Sequence, residues 1–111
     1  MAVLLFVGVF GFVFFSFDKF GDVKRSVKYV LKDPSSAMFR NITKSTKNSN
    51  IYCGEVNARN SSNGYTGFHS FIYDRSLSQV IVMNRYSSEP GKMLEGLKYF
   101  ETGQCTGPYL D

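Results

Sequence analysis

The chain predicts an α+β fold. An antiparallel meander of three or four strands is covered by an N-terminal and a C-terminal helix, all preceded by an apolar helix. Three observations point to it. Residues 20–32 carry apolar side chains at helical spacing. Residues 51–86 hold runs rich in β-branched and aromatic residues, broken by clusters of Asn, Ser and Gly. Residues 87–103 return to helical spacing behind a proline.

A chain of 111 residues allows one domain at most. Residues 1–19 read as a hydrophobic anchor or atypical signal segment, and residues 20–111 as a small α+β domain. Residues 2–17, AVLLFVGVFGFVFFSF, contain no charge. As a helix this stretch would span about 24 Å at 1.5 Å per residue, short of the roughly 30 Å hydrocarbon core. It has the length of a signal h-region but neither a basic n-region nor an A-x-A-like cleavage site. No cysteine follows it closely, which excludes a lipoprotein anchor. Seven phenylalanines between Phe6 and Phe20 disfavour the other reading, a buried element of a water-soluble core.

In residues 20–32, Phe20, Val23, Val27, Val30 and Leu31 mark the inner side, and Lys24, Arg25, Lys28 and Lys32 the outer. Asp33-Pro34 ends the helix, because a residue before proline avoids the α region. The same pair opens a further turn, with Asp33 as cap and Met38 and Phe39 packed inward. Residues 40–47 form a polar edge strand that lysines guard. Residues 51–73 form a hairpin turned at Asn63-Gly64. On its first strand Ile51, Cys53 and Glu55 share one face, and Tyr52, Gly54, Val56 and Ala58 the other. On its second, Tyr65, Gly67, His69, Phe71 and Tyr73 share a face. Gly54 and Gly67 mark a bulge or the close approach of another element, such as a helix across the sheet. Residues 80–86 give another strand. The last helix presents Met93, Leu94, Leu97 and Phe100, is weakened by Gly91 and Gly96, and closes at Gly103. Both helices are expected on one sheet face.

Charge is uneven. Residues 19–47 hold eight Lys and Arg against two Asp, directly after the apolar stretch. The face of Lys24, Arg25, Lys28 and Lys32 reads either as a site for anionic lipid or nucleic acid, or as a solvated helix surface. Literal positive-inside counting leaves the domain in the cytoplasm. The cysteines point outward. Cys53 and Cys105 admit a single pairing, which would staple the last helix to the sheet; the alternative is two unrelated thiols in a reducing compartment.

The sequence gives little support for catalysis. One histidine and two distant cysteines offer no metal spacing. No phosphate loop, G-x-S-x-G or carboxylate pair occurs. Cys53 and His69 could form a nucleophile pair only if the hairpin brought them to one face. Glu55 reads as a structural carboxylate held by Asn57 or turn amides. No cofactor, metal or small-molecule substrate is expected. Basic and aromatic residues are not interleaved, which argues against nucleic acid.

LKDPSSAMFRN (residues 31–41) and YCGEVNARNSSNGYTGFHSF (residues 52–71) resemble a group of small exported proteins and lipoproteins of proteobacteria and their phages. The group's pattern is Asp-Pro-x-Ser-Ala-x-Phe, then Cys-Gly-Glu-Val-Asn-Ala-(basic)-Asn, then Gly-Tyr-x-Gly-Phe. The lead here departs from the group's usual signal or lipobox, and the turn at residues 61–64 is longer or differently composed. The resemblance implies an exported, disulfide-containing α+β domain and no particular activity. The expected function is a non-enzymatic module, membrane-anchored through residues 2–17 or periplasmic. It would be phage- or prophage-encoded and would bind and modulate a host envelope protein through Asn57, Arg59, Asn60, Asn63 and Tyr65. The alternative is a cytoplasm-facing, membrane-tethered module whose basic helix binds anionic lipid or nucleic acid.

Overall fold

The structure is a computed structural model that describes residues 18–84 and 90–107. In chain order it has helix α1 (Gly21–Tyr29), a single 3-10 turn (Pro34–Ser36), strands β1 (Met38–Lys44), β2 (Ile51–Asn57), β3 (His69–Asp74) and β4 (Gln79–Val82), and helix α2 (Pro90–Glu101). The expected apolar helix and the Ser-Ser-Glu opening of the last helix lie outside the described residues.

The four strands form one antiparallel sheet in the order β1-β2-β3-β4, a meander. β2 and β3 are central. The first four residues of β2 are all buried, so this strand is covered on both sides. Alternation sorts the core into two layers. Ile51, Cys53, Ile72, Ile81 and Met83 face α2, where Met93, Leu97, Tyr99 and Phe100 pack on them. Tyr52, Val56 and Phe71 face α1, where Val23 and Val27 are fully buried. The helices therefore cover opposite faces, not one. Apolar residues stand at both parities of β2, β3 and β4, and such strands need cover on each side.

α1 is shorter than its apolar spacing predicts. It ends at Tyr29, and Val30, expected inward, is 54% exposed. The N–H groups of Val30 and Leu31 turn back to Val27 and Lys28 in a tight last turn. Met38 is also exposed, whereas Phe39 packs edge-on against Phe71 with ring centroids 6.0 Å apart. β1 bulges between Arg40 and Thr43, with Asn41 at φ 57°. β4 ends at Val82, although the Met83 N–H still donates to Ser70 O at 2.8 Å; residues 85–86 of the predicted strand lie outside the described residues.

Gly54 pairs with Phe71, whose ring lies over it. The close approach read from this glycine is a neighbouring strand's side chain, not a helix. The helix-to-sheet approach occurs at buried Gly96, where a Cβ would come 3.2 Å from Met83 Sδ and 3.3 Å from Ile81 Cγ2. Leu94, placed on the apolar side from sequence, is 65% exposed. Gly103 closes α2 at φ 79° as expected. The chain then folds back, and the Cys105 N–H donates to Tyr99 O at 2.9 Å. That return brings Cys105 to β2, where it forms a disulfide with Cys53, Cα to Cα 5.8 Å.

Candidate functional site

Residues 58–68 join β2 to β3 as a loop, not as a two-residue turn. The second strand starts at His69 because Gly67, at φ 102°, breaks the extended path predicted from Tyr65. Most polar side chains of the expected binding loop build the loop itself. Asn57 Oδ1 accepts from the Gly67 N–H at 3.2 Å. Asn60 Oδ1 accepts from the N–H groups of Ser62 and Gly64 at 2.9 and 3.2 Å. Asn63 adopts φ 66°, the left-handed turn conformation its type tolerates. Arg59 and Tyr65 form an isolated bridge across the base.

The base docks on the 3-10 turn. The Arg59 N–H donates to Ser36 Oγ at 2.8 Å, and Tyr65 OH donates to Ser36 O at 2.9 Å. Arg59 Nε donates to Asp33 Oδ2 at 3.1 Å. The Ser35 hydroxyl first, and the Arg59 charge second, hold the Asp33 carboxyl below its ordinary range. Asp33 thus holds this corner through its side chain, although it makes no side-chain cap to the turn's backbone. Residues 60–64 remain exposed on a closed, self-bonded tip. Ser36 itself was not singled out from sequence. A serine two residues after a proline carries no signal for a partner in a distant loop.

The basic face of α1 is narrower than the sequence reading. Lys24 turns aside to pair with Asp18 at 2.9 Å and lies 5.9 Å from the Phe39 ring centroid. That contact holds the Asp18 carboxyl below its ordinary range. Arg25 and Lys32 are exposed and Lys28 is half-buried. These three have no carboxylate partner among the described residues.

Cys53 and His69 are not brought together. His69 pairs with Val56, on the α1 side of the sheet, whereas Cys53 faces α2 and its sulfur is bridged. His69 Nε2 instead contacts Thr66 Oγ1 at 3.0 Å. Glu55 is held by Arg40 and Asn41 of β1, not by Asn57 or turn amides. Among the described residues no group of His, Cys, Asp or Glu could hold a metal ion, and no helix is long and apolar enough to cross a membrane.

Two open grooves flank the sheet. One, about 380 Å³, lies beside α2 and includes Asp74, Glu95, Lys98 and Tyr99. Burial, then the hydrogen bond to Asp74, pushes the Tyr99 phenol up. The other, about 410 Å³, lies beside α1 and includes Arg25, Tyr29, Val30 and Tyr73. No protein-family model, curated protein or solved structure matches the chain.

Proposed function

We propose that the chain is a non-enzymatic interaction module of the bacterial cell envelope, exported or membrane-anchored, that binds and modulates a host envelope protein. The observation that carries this reading is the Cys53–Cys105 disulfide. Such bridges form and persist in oxidising compartments. The charge-free residues 2–17 supply the attachment. The resemblance of residues 31–41 and 52–71 to small exported proteins of proteobacteria and their phages points to the same compartment. The binding surface is the tip at residues 61–64. A loop closed by its own side chains meets a partner with little ordering entropy left to lose.

The first test is the intact mass of chain isolated from cells with thiols trapped by alkylation. A chain free of adducts supports export; two alkylated cysteines overturn it. The second places a photo-crosslinker at Ser62, which is exposed. A discrete adduct that disappears when Ser61 is replaced by arginine supports the tip, and no adduct removes it. Arg59, Asn60 and Tyr65 are unsuitable targets because their replacement would open the loop.

A further inference from the structure

We propose that the end of α1 is a contact patch for an anionic phospholipid surface. Tyr29 and Val30 enter the headgroup region, and Arg25, Lys28 and Lys32 face the lipid phosphates. This rests on the membrane-anchored reading and adds the face that the domain turns to the bilayer.

Tyr29 is 90% exposed and Val30 54%. Both line the same open groove as Arg25, Tyr73 and Ser78. Leu77, 65% exposed, adjoins Ser78 on the β3–β4 turn. Single exposed apolar side chains need no explanation, but a group of them rimmed by charge marks an interaction site. Arg25 lines the groove, and Lys28 follows it by about one turn of α1. Lys24, Arg40, Arg59 and Arg75 are paired with carboxylates, whereas Arg25, Lys28 and Lys32 have none among the described residues. Asp22, the carboxylate lining this groove, is taken by Arg75.

The helical repeat places Arg25 opposite buried Val23 and Val27, with Lys28 and Tyr29 on either side of it. Aromatic and aliphatic groups flanked by cations make up an interfacial helix face. Chain position selects the bilayer as occupant. The charge-free stretch ends immediately before Asp18, and the nine residues of α1 span about 14 Å. A segment held in lipid therefore keeps the patch within roughly one helix length of the surface. Val30 and Leu77 favour lipid over nucleic acid, whose bases stack on aromatic rings.

The chain contains no tryptophan, so Tyr29→Trp creates a unique fluorescent reporter at an exposed position. Val30→Trp is a second reporter should the first disturb the fold. Full-length protein is mixed with phosphatidylcholine vesicles, with or without phosphatidylglycerol. The proposal expects a blue shift and loss of acrylamide quenching with phosphatidylglycerol alone. Lys28→Glu with Lys32→Glu, or high salt, should reverse both; each cation near such a surface is worth roughly a five-fold gain in affinity. An indole that stays water-exposed in both lipids overturns the patch, as does a response to single-stranded DNA but not to lipid. Co-flotation of the chain with vesicles is read separately. Failure to float overturns the anchor, while the indole signal still decides the patch.

Discussion

Gly54 stands directly opposite Phe71, and the Phe71 ring fills the space a side chain at position 54 would occupy. A Cβ there would lie 2.8 Å from two ring carbons and 3.1 Å from Ile42 Cγ1. Phe71 is fully buried, so its ring cannot swing into solvent. Gly54→Ala should therefore cost about 2 kcal/mol through overpacking and lower Tm by roughly 10 °C. Phe71→Leu should cost less in that background than alone, because the two changes share one contact. Thermal melts of the four proteins check this, and additive losses would show that the contact is relieved elsewhere.

The disulfide closes a separation of 52 residues between β2 and the end of α2. In the chain-entropy treatment such a loop is worth about 4 kcal/mol. Cys53→Ser with Cys105→Ser should lower the urea midpoint accordingly. The α2 side of the core should loosen first, since Cys105 lies beyond the helix it ties down. Hydrogen exchange that rises equally in α1 and α2 would contradict this.

Ser36 joins the loop to the 3-10 turn through its hydroxyl and its carbonyl. Ser36→Ala leaves the Arg59 N–H without its acceptor in a part-buried place, a loss of about 1–2 kcal/mol. The Arg59 amide should exchange faster with solvent while the centre of β2 stays protected. Unchanged exchange at Arg59 would show that the loop closes without Ser36.

The titrating groups set two limbs of a stability profile. Asp33 and Asp18 have folded pKa values below the ordinary 3.8. Each binds protons less readily when folded, so its contribution is present above pH 3.8 and fades as pH falls toward the folded value. Tyr99 is raised above 10.0, chiefly by burial and then by its hydrogen bond to Asp74. Its contribution is present below pH 10 and fades as pH rises through the folded value. Tyr99→Phe should flatten the alkaline limb and leave the acid limb alone. Denaturant midpoints across pH, measured for both proteins, check both limbs.

Much of the architecture was legible because periodicity is local. Val23 and Val27 marked the inner side of α1, alternation marked both faces of β2, and Gly103 marked the end of α2. Boundaries were less legible. Val30 continued the helical pattern on paper, yet the tight last turn leaves it exposed. Leu94 kept helical spacing yet faces solvent, because the helix approaches β4 through Gly96. The loop's polar residues were visible as a cluster, but their use in closing the loop was not.

By itself, the sequence determined the α+β class, the antiparallel meander and the availability of one cysteine pair. Those depend on repeat lengths of two and 3.6 residues and on a count. The tertiary structure decided which face each helix covers, that Phe71 rather than a helix lies over Gly54, and that Ser36 receives the loop. It also decided that Lys24 leaves the basic face while Tyr29 joins its rim. Each depends on contacts between residues far apart in the chain, and no local pattern encodes the direction from which a distant side chain arrives.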